Sequence, residues 1–243
     1  MLGAGAGWQV RPESCIPCSM SKPLKAVLFD VDGTLVDSND AHAAAWVSAF
    51  REHGVTVDAA LVRRCIGMGG DKLMPAVSGI EEESERGSAI ATRRGEIFKT
   101  KFLPALKPFN DADRLVAALK ERGFTVVAAS SAQKDELSAL LRLASADWLM
   151  DSATSSDDAD ESKPAPDIIE AALEKAKATP AVAIMIGDTP YDIEAAARAG
   201  VKTIAFRSGG WSDADLKGAI AIYDGPWDLL ARVDESALAT RST

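Results

Sequence analysis

The sequence contains little cysteine and little histidine, three and two residues respectively among 243. Three cysteines are too few for a disulfide framework, and the odd number argues against complete pairing, so we expect a reducing compartment, the cytoplasm. Cys15 and Cys18 form a CxxC pair, a pattern found in redox sites and as half of a zinc site. No second cysteine pair or histidine cluster accompanies them, and we interpret them as an incidental pair in a loose N-terminal extension.

Excess positive charge and long apolar runs are also missing. The formal net charge is −9 and the pI is near 4.8, which argues against a general affinity for nucleic acid or for anionic membranes. No apolar run approaches the length that spans a bilayer. The first residues, MLGAGAGWQVRPES, lack both the basic start and the continuous apolar segment of a secretory signal. We therefore expect partners that are neither nucleic acid nor membrane.

A short apolar run that ends in two acids is the most informative stretch that is present. Residues 26–29, AVLF, have the pattern of a strand buried on both faces of a parallel sheet, and Asp30 and Asp32 follow at its end. Side chains alternate along a strand, so two acids one residue apart point the same way and repel each other unless a cation intervenes. Mg²⁺ prefers oxygen ligands and takes one or two carboxylates together with substrate phosphate. The stretch indicates a metal-assisted phosphate site, against the alternative of a strand followed by a polar turn.

Strand and helix patterns alternate over most of the chain. Further strand candidates occupy residues 124–129, 148–150, 181–186, 202–206 and 221–223. Helical patterns separate most of them, which predicts an α/β fold with a doubly wound parallel sheet, a Rossmann-like core. Between the first two strand candidates only helical patterns occur, and this predicts an inserted α-helical cap domain.

The predicted domain division follows from this change of pattern. Residues 22–37 and 108–232 are expected to form the α/β catalytic core, and residues 38–107 the helical cap. Residues 1–21 are expected to be a disordered extension, and residues 233–243 a frayed tail.

Polar residues follow other strand candidates as well. Ser130 and Ser131 come after the second candidate, Asp188 follows the fourth, and Lys163 lies in a loop before a helix. The carboxyl ends of parallel strands share one edge of the sheet, so these side chains can meet the two aspartates there. Their types suit phosphoryl transfer, because a carboxylate can attack phosphorus while lysine and hydroxyl groups stabilise the phosphoryl oxygens. In isolation each has a plainer interpretation, as a helix cap or a solvated loop residue.

The run DVDGTLVDS, followed in order by the serine, the lysine and GDTPYD, resembles the four motifs of the haloacid dehalogenase-like hydrolase superfamily. The resemblance covers roughly residues 22–232. It implies that Asp30 is a nucleophile that forms an aspartyl phosphate. It also implies that Asp32 is the general acid for the leaving oxygen and then the base that activates water.

The same resemblance implies a cofactor and a set of ligands. Mg²⁺ is implied as the metal. Its implied ligands come from the first and fourth motifs and are the carboxylates of Asp30 and Asp188 and the backbone carbonyl of Asp32. Phosphoryl oxygens are expected to be bound by the second and third motifs: Ser130, Ser131 and Lys163. Supporting roles are implied for two more residues, Thr34 and Asp192, the latter as a ligand through water or as a supporting acid.

The helical insert resembles the small cap of one branch of this superfamily, which excludes water and selects substrates. His42, in DAHAAAW, is placed as in several sugar-phosphate members, and the glycines of IGMGGDK suit a backbone that approaches the substrate closely. The candidate substrate contacts in the cap are His42, Gly69, Gly70 and Lys72. A surface or interface histidine and a solvated helix lysine are the alternatives for the first and last of these.

The second acid of the first motif favours phosphate chemistry, because dehalogenases of the superfamily have no leaving oxygen to protonate and lack it. We expect a phosphatase that acts on a small organic phosphomonoester, phosphoglycolate or a sugar phosphate. A mutase similar to β-phosphoglucomutase is the close alternative, although the cap arginine that grips the second phosphate in mutases aligns with Gly70. A catalytically silent binding module is the third, yet none of the five core residues is missing. The sequence does not indicate an oligomeric state.

Overall fold

The computed structural model describes residues 24–239, and these residues form one six-stranded parallel sheet with helices on both faces. The strands are β1 (Ala26–Phe29), β2 (Thr125–Ala129), β3 (Ser152–Thr154), β4 (Ala183–Gly187), β5 (Lys202–Phe206) and β6 (Ala221–Tyr223). Their order across the sheet is β3-β2-β1-β4-β5-β6, and every neighbouring pair is parallel. The predicted doubly wound sheet is confirmed, with β1 at its centre.

The central strand shows why the sheet needs helices on both faces. All four side chains of β1 are fully buried. Val27 and Phe29 lie in one apolar cluster, whereas Ala26 and Leu28 lie in another on the opposite face. Each face therefore needs its own helical cover, and this explains the unbroken apolar run in the sequence.

Helices connect the strands. They are α1 (Asn39–Glu52), α2 (Ala59–Arg64), α3 (Gly70–Ser78), α4 (Glu85–Ile97), α5 (Ala112–Glu121), α6 (Lys134–Leu143), α7 (Asp167–Ala176), α8 (Pro190–Arg198) and α9 (Pro226–Ala231). Four of these, α1 to α4, come between β1 and α5 and occupy the segment 38–107, which we call the cap segment. Its own interior includes Phe50 and Ile90, both fully buried. Among the described residues, none of these helices or any other is long and apolar enough to traverse a bilayer.

Two local predictions are wrong. Residues 148–150 are not a strand: the backbone amides of Leu149 and Met150 bond back to the carbonyl of Ala146, so they turn the chain and cannot pair in the sheet. The strand lies four residues later, as β3. The tail is not frayed up to residue 239, because Val233 and Leu238 are buried in the main apolar cluster.

The predictions for the N-terminal extension, including Cys15 and Cys18, lie outside the described residues, as do residues 240–243. The division into core and cap stays a proposal.

Candidate active site

Three neighbouring strands end in polar residues at one edge of the sheet. Asp30 follows β1, Ser130 follows β2, and Asp188 follows β4. Because β1 lies between β2 and β4, these three side chains are brought side by side although they are far apart in sequence. Lys163 reaches the same edge from the segment between β3 and α7, and Asp192 from the first turn of α8.

Lys163 lies buried at the centre of this group. Its Nζ donates to Asp30 Oδ1 at 2.6 Å, to Asp192 Oδ1 at 2.7 Å and to the carbonyl oxygen of Ala129 at 2.7 Å. Burial alone would lower the pKa of Lys163, but the two carboxylates outweigh it and raise the pKa above its ordinary value. All three ammonium hydrogens are used, so the lysine offsets carboxylate charge in the structure as it stands. A contact with a phosphoryl oxygen requires one of these bonds to be exchanged.

The group contains more negative charge than Lys163 can neutralise. Oxygens of Asp30, Asp188 and Asp192 lie within 4.8 Å of one another, and all three side chains are buried. Burial, then the neighbouring Asp192 carboxylate, raises the pKa of Asp188 to about 8. Burial also raises the pKa of Asp30 well above its ordinary value, against the opposing effect of Lys163. Clustered, desolvated oxygen ligands with a deficit of positive charge are what a hard divalent cation requires, so these residues fit a metal site.

Two neutral donors orient Asp188. Thr34 Oγ1 donates to its Oδ1 at 3.0 Å and Asn39 Nδ2 donates to its Oδ2 at 2.8 Å. Two glycines pack directly against this carboxylate: a Cβ on Gly209 would lie 1.7 Å from Oδ2, and one on Gly33, whose φ is +73°, would lie 2.3 Å from it. Only glycine fits at both positions, so the turn after β1 and the turn after β5 shape this part of the site.

Asp192 takes part in the N-terminal capping box of α8 and also binds Lys163. Thr189 caps α8, and its amide and hydroxyl both donate to Asp192 Oδ2, at 3.0 and 2.7 Å. The other carboxylate oxygen accepts from Lys163. The capping box thus holds Asp192 in the orientation that anchors the lysine.

Asp32, two residues after Asp30, is bound to the cap segment. His42 Nε2 is 2.7 Å from Asp32 Oδ1, and Ser38 Oγ donates to the same oxygen. Burial would raise the pKa of Asp32, but the charge and hydrogen bond of His42, together with the bond from Ser38, hold it below its ordinary value. An ionised Asp32 can only accept hydrogen bonds, from Ser38 Oγ and from His42 in the tautomer that carries hydrogen on Nε2. The structure therefore buries His42 beside the predicted general acid rather than exposing it at the surface.

Behind His42 lies an ion pair between the cap segment and α6. Arg94 of α4 donates through Nη1 to both carboxylate oxygens of Glu136, at 2.7 and 3.0 Å. Glu136 is almost fully buried, and its Oε1 is 3.9 Å from His42 Nδ1. The His42 ring also stacks on Phe98, with ring centres 4.0 Å apart. These contacts join α1, α4 and α6 directly over the sheet edge.

The other predicted cap residues line the junction between the cap segment and the core. Gly69 donates its backbone amide to Ser162 Oγ at 3.0 Å, next to Lys163 in sequence. Gly70 lines the cavity described below. Lys72 pairs with Glu161 at 2.6 Å, and this contact directs its ammonium to a loop of the core.

A polar cavity lies between the cap segment and the edge of the sheet. Its larger part encloses about 200 Å³, and a smaller part of about 50 Å³ reaches Asp30, Asp32 and Ser130. Ser131 and Arg94 line both parts. Ser131 Oγ is buried without a hydrogen-bond partner, whereas Ser130 Oγ accepts from the amide of Ala132 at 3.0 Å. A small ligand can therefore occupy a space that ends at the clustered acids.

Several residues of the site have no signal in the sequence pattern. Arg94 follows Arg93 in a polar helix, and Glu136 follows Asp135. Glu136 is buried whereas Asp135 is exposed, and the Arg94 side chain is 18% exposed against 42% for Arg93. These differences depend on the rotation of each helix in the fold. Ser38 ends the motif run DVDGTLVDS and Asn39 follows it, but neither was predicted as a site residue.

Comparisons with known proteins agree with this geometry. The model of the haloacid dehalogenase-like hydrolase family matches residues 27–206. The chain is 30% identical to the protein named Probable phosphatase IndB of Dickeya dadantii, over 82% of this chain and 86% of that protein. It is also 30% identical to a phosphoglycolate phosphatase of Aquifex aeolicus, over 74% and 83% of the two chains. A solved structure from Bacteroides vulgatus, provisionally described as a β-phosphoglucomutase, superposes with a TM-score of 0.80 at 26% identity, covering 91% of this chain and 93% of that one.

Proposed function

The chain belongs to the haloacid dehalogenase-like hydrolase family, and on this basis we propose that it is a Mg²⁺-dependent phosphatase of small organic phosphomonoesters. The observation that carries the proposal is the pairing of Asp32 with His42 at the wall of the cavity that also reaches Asp30. A phosphate ester needs a proton on its leaving oxygen, and this pair holds one there, whereas a halide leaving group would not need it. The phosphatase names of relatives support the same class of reaction.

The roles of the residues follow from their contacts. Lys163 holds Asp30 Oδ1 and fixes the orientation of the carboxylate. An oxygen of Asp30 attacks phosphorus, the bond from phosphorus to the ester oxygen breaks, and that oxygen takes up the proton held between Asp32 and His42. Asp32 then accepts a proton from water as the water oxygen attacks the phosphoryl group, and inorganic phosphate and free Asp30 are formed.

The proposed metal site is built from groups on the same edge. Asp30, Asp188 and the backbone carbonyl of Asp32 are the proposed ligands, and Thr34 orients the second of these. When bound, Mg²⁺ supplies positive charge that offsets the phosphoryl oxygens and the carboxylates. Asp192 supports the site through Lys163. Ser130 and Ser131 are the proposed hydroxyl donors to the phosphoryl group.

The small number of cysteines favours a cytoplasmic location.

Replacing the nucleophile tests the proposal. Asp30→Asn leaves the size of the side chain unchanged but removes the attacking oxyanion, so we expect phosphate release from p-nitrophenyl phosphate with Mg²⁺ to fall by about 10⁴-fold or more. Asp37→Asn, at an exposed position of the same segment, is the matched control and should keep full activity. Steady-state turnover by the Asp30→Asn protein at a rate close to that of the wild type would exclude this mechanism.

A phosphosugar mutase is the second candidate, favoured by the superposition on the Bacteroides vulgatus structure. It differs from a phosphatase in the acceptor, since a sugar hydroxyl rather than water receives the phosphoryl group from Asp30. Isomerisation of glucose 1-phosphate primed with a hexose bisphosphate, without net phosphate release, would favour the mutase. A silent binding module would release no phosphate from any ester.

A further inference from the structure

The larger part of the cavity carries an unusual balance of charge for a site that accepts a phosphate ester. Three acidic residues line it, Asp71, Glu82 and Asp160, and among the described lining residues Arg94 is the one cation. Asp30, which accepts a hydrogen bond from Lys163, lines the smaller part of the cavity, where the phosphoryl group is expected. The space for the leaving group is therefore negative.

Arg94 is not free to bind a second anion. Its guanidinium donates twice to Glu136, which has almost no exposure to solvent. If Arg94 turned to a carboxylate or phosphate of the substrate, Glu136 would be left as a buried charge without a partner. Arg94 Nε and Ser131 Oγ, however, are both buried without a partner. They are suited to the neutral hydroxyl groups of a ligand.

The acidic residues differ in how far their charge is already compensated. Asp71 accepts from the amide and hydroxyl of Ser162 and lies 4.0 Å from the Lys72 ammonium, and Asp160 is exposed to solvent. Glu82 is half-buried against Gly70 and, among the described residues, receives no hydrogen bond. Burial, then the charge of Asp71, raises its pKa. Glu82 is thus the group of this cavity that gains most from a cationic ligand.

We propose that the leaving group of the substrate carries a protonated amine beside Glu82 and carries no second carboxylate or phosphate. This inference rests on the proposed phosphatase function and narrows its substrate class to amine-bearing phosphate esters. It disfavours phosphoglycolate, one of the two substrates expected from the sequence, and hexose bisphosphates.

A series of two-carbon esters tests the charge preference with little change in size. The esters are 2-aminoethyl phosphate, 2-hydroxyethyl phosphate and phosphoglycolate, which end in an ammonium, a hydroxyl and a carboxylate. With Mg²⁺ at neutral pH, kcat/KM should fall in that order, by about tenfold or more between the first ester and the last. A difference of this size is expected from one charge contact with a half-buried carboxylate. An equal or higher value for phosphoglycolate would overturn the proposal.

Two variants assign the preference to Glu82. Glu82→Gln should reduce the ratio between the amine and carboxylate esters about fivefold or more, mainly through KM, because it removes charge but not volume. Glu83→Gln, at an exposed neighbouring position outside the cavity, should leave the ratio unchanged. An unchanged ratio in Glu82→Gln would overturn the role of this residue.

Binding separates this proposal from the proposed function. Dissociation constants of the three esters for Asp30→Asn, measured by calorimetry with Mg²⁺, should follow the same order without turnover. If no ester is hydrolysed by the wild type but this order is found, the phosphatase function fails and the charge preference stands. If hydrolysis occurs without an amine preference in kcat/KM or in binding, only the charge preference fails.

Discussion

Asp188 is a buried carboxylate whose direct hydrogen-bond donors, Thr34 and Asn39, are both neutral. Its pKa is raised from 3.8 to about 8, first by burial and then by Asp192. The folded, metal-free protein therefore holds a proton that the unfolded chain releases near pH 4. Between these two values the folded state binds more protons, so stability falls as pH rises. A divalent cation removes this effect, because it replaces the proton.

We predict that the free energy of unfolding of metal-free protein decreases as pH rises from about 4 to 8, by up to about 1.4 kcal/mol per pH unit for one proton. The measurement is urea unfolding in chelator at several pH values, with Asp188→Asn as the reference for all other titrating groups. With saturating Mg²⁺, the difference between the two proteins in free energy of unfolding should no longer depend on pH. Mg²⁺ should raise the stability of the wild type most at high pH. A wild-type stability that rises with pH relative to Asp188→Asn would contradict this account.

The sequence predicted the residues that follow strands, together with His42 of α1 and Asp192 of α8, but it missed Arg94 of α4 and Glu136 of α6. Asp30, Ser130 and Asp188 were identified because a strand that ends in a polar residue places it at a known edge of a parallel sheet. Arg94 and Glu136 could not be identified, since their burial depends on the rotation of α4 and α6 in the fold. Buried polar side chains of helices leave little trace in an amphipathic pattern.

Among the elements, α1, α4 and α6 are joined by one chain of contacts. Asp32 binds His42 of α1, the ring of His42 stacks on Phe98 just after α4, and Glu136 of α6 binds Arg94 of α4. The cap segment is therefore tied to the core through side chains that also touch the proposed general acid. The ion pair of α4 with α6 should accordingly influence both stability and substrate binding.

We predict that Arg94→Met destabilises the protein by about 3 kcal/mol, because it leaves the buried Glu136 without its partner, and that it also raises KM. Arg93→Met is the matched control: Arg93 pairs on the surface with Glu52 and Glu96, so its loss should change little. Thermal unfolding and steady-state kinetics measure the two effects. The double variant Arg94→Met with Glu136→Leu should recover the stability of the wild type but not its KM. If Arg94→Met alone is as stable as the wild type, the ion pair is not needed for stability.

For the whole molecule, the order of strands and helices was predictable because apolar strand runs alternate with helical patterns along the sequence. Apolar runs predicted five of the six strands, since strands buried on both faces are apolar throughout. The third strand was misplaced by a few residues, because Ser152–Thr154 is short and lacks large apolar side chains, whereas the preceding Trp148 is apolar but exposed. The tail was misjudged because a few polar residues separate its buried side chains, Val233 and Leu238. Tertiary packing decided both cases.

The central claim of the proposed mechanism is that the phosphoryl group is transferred to Asp30 and that Asp32 is needed for its transfer from Asp30 to water. The most direct measurement is acid-quenched turnover of p-nitrophenyl phosphate by Asp32→Asn with Mg²⁺, followed by peptide mass spectrometry. Nitrophenolate leaves without a proton, so the first step should proceed while the second lacks its base. We predict that a phosphoryl group accumulates on Asp30. Unmodified Asp30 during continued release of nitrophenolate, or a phosphoryl group on another residue, would contradict the account.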